Sequence, residues 1–334
     1  EYAFQELRRT TKEITTPEGI CHRVNEHEGF NKLLVTLCRN MLSSDPSACS
    51  MMDYDGHIIE NTKADNAFTN KKTEGYYPVV CSINKLPVYM QNRNGNTPEG
   101  YGQKNILETA INNCREKGII VKSFRADACG YQKDTVEYLE SEHITYYIRA
   151  ENSLRLTDAL WDEVEWEPVR IGYRKVEVCS IKEVVLGKPR RVVAYRYKRK
   201  GQLDIFTNNG YRYYAIVTSD NERTPLECIE IYNRRGRDGE HHFKEFDYDF
   251  NWNKLPFDNM EMNTVYMYAM LVAYLLFNTV KTAYAQKLSF VKPEMRLKNF
   301  ILHFVTLPAK WIKTGRQWVL KIFTTKDYSS LFVT

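Results

Sequence analysis

What most constrains the fold of this chain is the order of its hydrophobic patterns between residues 48 and 148. Three extended runs come first: one closing on Asp53-Tyr54-Asp55, then 76–83 and 86–89, with Asn84-Lys85 placed to turn the last two into a hairpin. An amphipathic helix is predicted over 103–117, with Ile106, Leu107, Ala110 and Ile111 inward and Gly118 as its stop. A fourth extended run, 119–127, ends on Asp127; a short helix near 134–141 and a fifth extended run over 144–148 follow.

Strand, strand, strand, helix, strand, helix, strand is the order a ribonuclease H-like sheet requires, and it sets the ends of the first and fourth strands side by side. The expected fold class is therefore α/β: a ribonuclease H-like catalytic core interrupted by an all-β insertion, with flanking helices. Residues 1–44 read as the helical remnant of an amino-terminal region, Phe30, Leu33, Leu34, Leu37 and Leu42 forming one apolar face. The first part of the core spans 45–160. Residues 161–223, strand-like and rich in Tyr, Val and Arg, read as the insertion. A helical completion of the core follows over 224–290, and a basic, aromatic, helical segment over 291–334.

With 334 residues, 43% of them hydrophobic and 27% charged, a sizeable core is available and extensive disorder is excluded. A net charge of +5 does not by itself demand a polyanion. The eight cysteines contain no Cys-x-x-Cys pair, which excludes a zinc finger and favours reduced, structural thiols. No signal peptide is evident; the chain opens on Glu1 rather than methionine, which leaves room for an upstream segment. The uncharged stretch 264–280 is at the lower limit for a bilayer span and reads as a helix buried in a core.

The chemistry rests on three acids. Asp55 and Asp127 end extended runs, and Glu240 follows an arginine-rich stretch, Tyr232 to Gly239, that leads into a helix. Carboxylates so placed can hold a pair of Mg²⁺ ions about 4 Å apart, with Mn²⁺ as a substitute, the equipment of phosphodiester cleavage. Asp53 is the alternative first acid, since a period of two puts it on the same strand face as Asp55. A solvated Asp-x-Asp turn is the plain alternative. Arg235 suits bidentate phosphate contact, and Lys244 lies one helical turn after Glu240. A second basic run from Lys188 to Lys200 contains Arg196 and Lys198, interleaved with Tyr195 and Tyr197; it reads either as a nucleic-acid contact or as a hairpin with a basic outer face.

Together these segments resemble the insertion-sequence transposases of the DDE superfamily, in the subgroup with a β-strand insertion before the catalytic glutamate. The resemblance runs from about Ser50 to the end. It rests on Asp53-Tyr54-Asp55, Arg125-Ala126-Asp127, Tyr232-Asn233-Arg234-Arg235-Gly236 leading to Glu240, Asp249-Phe250-Asn251-Trp252 and Pro308-Ala309-Lys310-Trp311. It implies that Tyr232, Arg235, Glu240 and Lys244 form the family's signature, although four residues separate Arg235 from Glu240 where the family has three, and His57 stands for the usual threonine.

The implied activity is Mg²⁺-dependent cleavage at transposon ends and strand transfer into target DNA. The expected partners are terminal inverted repeats and target DNA, met by a homodimer, with no membrane, in a bacterial cytoplasm at the nucleoid. A ribonuclease H-like nuclease without strand transfer and an inactive remnant that only binds DNA are the alternatives.

Overall fold

A computed structural model describes residues 11–42, 50–151, 153–162, 165–198, 207, 208 and 210–331, together with Leu7; of 207, 208 and 237–242 it describes the backbone alone. The helix expected over 1–44 does not run through the described residues from 11 onward. From residue 11 the first elements are two antiparallel strands, β1 (Lys12–Thr15) and β2 (Cys21–Asn25). Pro17 and Gly19 sit between them, Gly19 with φ +83°, and the β-branched neighbours Thr15 and Thr16 add to the reasons a helix cannot run through. Beyond Leu7, α1 (Glu28–Met41) is the helix among the residues described here. It turns Leu34, Val35 and Cys38 fully inward and leaves Leu33, expected inside, 40% exposed.

The central elements follow the sequence pattern closely. After β3 (Ser50–Gly56) the polar loop itself folds into a small sheet of β4 (Ile59–Glu60), β5 (Ala67–Phe68) and β6 (Glu74–Tyr76). Then come β7 (Val79–Ile83) and β8 (Leu86–Arg93), joined by Asn84 and Lys85 at φ +51° and +71°, the two left-handed residues that a tight hairpin turn demands. Next, α2 (Gln103–Glu116) buries Ile106, Leu107, Ala110 and Ile111, and Gly118 at φ +71° ends it. There follow β9 (Val121–Ala126), α3 (Lys133–Ser141), β10 (Thr145–Arg149) and α4 (Leu154–Asp162).

The strands over 167–218 are β11 (Glu167–Ile171), β12 (Arg174–Val185), β13 (Lys188–Lys198), β14 (Thr207–Asn208) and β15 (Tyr211–Thr218). They do not stand apart. β15 pairs antiparallel with β10, so one mixed sheet runs in the order β1-β2-β8-β7-β3-β9-β10-β15-β13-β12-β11, with β14 beside β15. In its centre β8, β7 and β3 are antiparallel, whereas β9 and β10 run parallel to β3. The overall class is mixed α/β, a large sheet carrying helices.

Two long helices complete the core. α5 (Pro225–Asp249) starts from a capping box in which Thr224 and Glu227 satisfy each other's backbone N–H groups, with Pro225 in its first turn. α6 (Met260–Ala285) contains the uncharged stretch; it is long and apolar enough to cross a membrane, yet packs on α1, β8 and α5 with Met267, Tyr268, Leu271 and Leu275 wholly buried.

The last region departs from its expected helical character. α7 (Leu297–Phe304) is followed by an antiparallel hairpin, β16 (Ala309–Thr314) and β17 (Gln317–Ile322). Gly315 and Arg316 take φ +54° and +65° at its turn, and the β-branched and aromatic Trp311, Ile312, Trp318, Val319 and Ile322 favour extended backbone on either side.

Candidate functional site

The site is built at the ends of β3 and β9. Alternation along β3 puts Met52 and Tyr54 into the core on one face and Asp53 and Asp55 on the other. Because β9 lies parallel to β3 with Arg125 opposite Asp53, the positions two residues on, Asp55 and Asp127, come out of the sheet side by side. Parallel neighbours share a direction, so both strands deliver their carboxylates to one edge.

The cation that joins them comes from α5. Arg235 Nη2 lies 3.0 Å from Asp55 Oδ1 and 4.0 Å from Asp127 Oδ2, and also donates to the Tyr54 carbonyl at 3.4 Å. Its Nε–H is buried and has no partner among the described residues. Tyr232, one turn earlier on the helix, is half-buried beside the same group.

Asp53 is occupied differently. Arg125 Nε and Nη2 each donate to one of its oxygens at 2.7 Å, while Arg125 Nη1 donates to the Ile231 carbonyl of α5 at 2.7 Å. Both side chains are under a tenth exposed. The pair fastens α5 to the sheet and leaves Asp53 no open face, whereas Asp55 faces Arg235.

A residue that the sequence pattern did not single out, Glu99, closes the site from the loop after β8. Its carboxylate accepts from the Gly56 N–H and from the Tyr77 hydroxyl, both at 2.7 Å, and its carbonyl accepts from the Tyr54 hydroxyl at 2.5 Å. The ligand atoms of Glu99, Asp127 and Cys129 all lie within 4.8 Å of one another. Gly56 is required by this approach, since a Cβ there would stand 2.7 Å from the Tyr77 ring and 2.9 Å from the Glu99 side chain. Asp127 is itself held by accepting from the Cys129 N–H at 2.9 Å. A lone acid in a Pro- and Gly-containing loop has no periodicity to betray it; only the fold brings Glu99 to the strand ends.

Crowding of acids in a desolvated place shifts their titration. Burial, helped by Glu99 and Asp127 and opposed by Arg235, pushes the Asp55 carboxyl up to about 7. Burial and the Asp127 charge push Glu99 up as well. The Cys129 thiol is driven well above its ordinary range by burial, then by Glu99 and Asp127, so the donors on offer here are carboxylate oxygens.

The remaining candidate residues are distributed as follows. Glu240 lies within α5, but its side chain is outside the described residues. Lys244 is exposed on the same helix. Farther along, Asp247 meets His57 Nε2 at 2.8 Å, and the His57 ring stacks on Phe243 at 4.7 Å. That locks the second half of α5 two residues past Asp55.

Arg196 and Lys198 are elsewhere, on β13. Arg196 is held by Glu177 at 2.6 Å and lies over the rings of Trp166 and Tyr211 at 4.2 and 4.5 Å; Lys198 lies over Tyr211 at 5.9 Å. The basic run is acid-free only in sequence. Glu137 meets Lys188, Glu140 meets Arg190, and Glu177 meets Arg196, so much of its charge is neutralised within the fold.

A family model described as transposase DDE domain group 1 matches residues 24–334. No curated protein matches the chain. Among solved structures the chain is similar to one described as the cryo-EM structure of piggyBac transposase synaptic complex with hairpin DNA, at 11% identity and a TM-score of 0.45, over 74% of this chain and 50% of that one. The chain thus spans about half the length of that solved chain.

Proposed function

The chain belongs to the transposase DDE domain family, and from that premise we propose that it is a DNA transposase, cleaving phosphodiesters at transposon ends and joining the freed 3′-hydroxyl to target DNA. The observation that carries the reading is Arg235 Nη2 in reach of both Asp55 and Asp127, two acids from neighbouring parallel strands gathered around one positive charge. On this reading the strands β8-β7-β3-β9-β10 are a ribonuclease H-like core and β11–β15 its insertion. Its segments are 45–160, 161–223 and 224–290, flanked by 1–44 and 291–334.

The residues fit a divalent metal. Asp127 and Glu99 lie close enough together to share an ion, and desolvated Asp55 stands beside them across Arg235; their carboxylates are hard oxygen donors of the type Mg²⁺ and Mn²⁺ prefer. Asp55 and Asp127 are the ligands, with Glu240 as the third. Position 240 is one helical turn before Phe243 and two before Asp247, both of which pack on His57 near Asp55. When bound, a pair of such ions activates the attacking oxygen and stabilises the leaving one.

The protein's own part is to orient. Glu99 fixes the β3 end through Gly56; Arg235, whose Nε–H has no partner among the described residues, donates to a phosphate oxygen; Tyr232 supports Arg235, and Lys244 adds a phosphate contact. Arg196 and Lys198 add phosphate contacts at the β13 end, Arg196 while also held by Glu177 and the Trp166 and Tyr211 rings, Lys198 from an exposed position. The DNA partners are terminal inverted repeats and target, engaged by a homodimer in a bacterial nucleoid.

A strand-transfer assay tests the proposal, using labelled end DNA taken from the sequence flanking the reading frame, with Mg²⁺. Joined product is expected. Cleavage without joining would assign a nuclease instead, and salt-sensitive binding without nicking would assign a remnant that only binds.

A further inference from the structure

Among the described strands the hairpin β16–β17 stands by itself. It joins neither the large nor the small sheet, and its twelve residues are all exposed except Ile312, which is half-buried. The register puts Trp311, Lys313, Trp318, Leu320 and Ile322 on one face, and Lys310, Ile312, Val319 and Lys321 on the other. Trp311 and Trp318 are 62% and 66% exposed. A hairpin with two wet faces is marginal in water unless something covers it.

Its charge says what. From Ala309 to Lys326 there are five cations, Lys310, Lys313, Arg316, Lys321 and Lys326, and no acid. Lys310 and Lys321 stand directly opposite each other, a cross-strand pairing of like charges that disfavours the hairpin until an anion lies between or beside them. A second copy of the same face would set cations against cations, so self-association does not relieve this. The hairpin is nonetheless firmly rooted. Phe323 N–H donates to the Pro308 carbonyl at 2.8 Å, the Tyr328 hydroxyl donates to the His303 carbonyl at 2.5 Å, and the Tyr328 ring packs on Phe290 and Phe304 at 5.2 and 5.6 Å.

We propose that β16–β17 is a duplex-DNA-binding ribbon, its lysines and Arg316 held against phosphates and its exposed tryptophans against the groove they flank. A two-stranded ribbon is one of the two shapes that enter the major groove, and at about 20 Å long this one spans its width. The inference rests on the reading of the chain as acting on DNA. It adds a contact remote in sequence from the acids.

The test uses the full chain and a fluorescent duplex of about 30 base pairs of random sequence, titrated by anisotropy across salt concentrations. The ribbon variant carries Lys310→Gln, Lys313→Gln, Arg316→Gln and Lys321→Gln; a charge-matched control carries Lys117→Gln, Lys122→Gln, Lys133→Gln and Lys182→Gln. The ribbon variant is expected to bind about tenfold or more weaker than the control, with a log–log salt slope shallower by about three. A second variant, Trp311→Ala with Trp318→Ala, leaves the charges in place and is expected to weaken binding with an unchanged slope.

Equal affinity and slope in the ribbon variant and the control, with metal-dependent nicking retained, would overturn the ribbon and leave the transposase reading standing. Unchanged DNA affinity together with lost binding to phosphatidylserine vesicles would overturn it in favour of a lipid surface. Wild-type protein with no salt-dependent DNA binding would overturn both readings.

Discussion

Arg235 stands 3.0 Å from Asp55, the helix cation closing on the strand acid. With Asp127 at 4.0 Å from the same nitrogen, removing the guanidinium leaves two partly buried carboxylates facing each other without compensation. Arg235→Gln should therefore destabilise the metal-free protein by about 2 kcal/mol, less than for a fully buried pair because Asp55 and Asp127 keep some solvent. In thermal denaturation that is a Tm fall of about 3 °C. Millimolar Mg²⁺ should recover much of it in the variant and add less to the wild type. A variant as stable as wild type in chelator would show that Arg235 does not balance the acids.

Asp53 and Asp55, two residues apart on one strand face, should respond in opposite ways. Asp53→Ala abandons the buried Arg125 guanidinium and should cost about 3–5 kcal/mol, unrelieved by any divalent ion. Asp55→Asn removes a charge that burial already disfavours and should leave stability nearly unchanged or higher. Chemical denaturation of the two variants, with and without Mg²⁺, separates the structural acid from the site acid.

The Asp55 carboxyl, raised from 3.8 to about 7, also sets a pH dependence. Its folded-state pKa lies above its unfolded one, so the stability it contributes is full below its ordinary range and is lost as pH rises through about 7. Metal-free wild type should thus lose stability relative to Asp55→Asn between about pH 4 and 7, and Mg²⁺ affinity should climb across the same interval as the proton leaves. Tm measured against pH for both proteins checks the sign; parallel curves would contradict it.

Within the basic run on β13, the buried arginine is expected to matter for folding more than for DNA. Arg190 has a side chain only 3% exposed, paired with Glu140 at 2.7 Å and donating to the Val185 carbonyl at 2.6 Å. Arg190→Gln should cost about 2–4 kcal/mol in denaturant melts. It should leave the salt slope of DNA binding unchanged, whereas a phosphate contact would lower that slope by about one.

How far the sequence could be read follows from what kind of signal each feature leaves. Periodicity is local, so β7, β8 and their Asn84-Lys85 turn, and α2 with its inward Ile106 and Leu107, stand where the pattern puts them. The convergence of Asp55 and Asp127 was legible for a topological reason: parallel neighbours end at one edge. Partnership is not local. Glu99 carries no spacing, the acids that neutralise Lys188, Arg190 and Arg196 lie in distant segments, and Arg125 holds Asp53 across two strands. At both ends the helical reading gave way to hairpins because the turn residues, Pro17 with Gly19 and Gly315 with Arg316, outweigh apolar spacing that suits either state.

The most direct test is Mg²⁺-dependent nicking of supercoiled plasmid by the wild type and by Asp55→Asn and Asp127→Asn, with folding verified by their melts. If the two strand-end carboxylates hold the ions that drive cleavage, each variant loses several kcal/mol of transition-state stabilisation and nicks about a thousandfold more slowly, while binding DNA as the wild type does. Nicking by either folded variant at the wild-type rate would contradict the account.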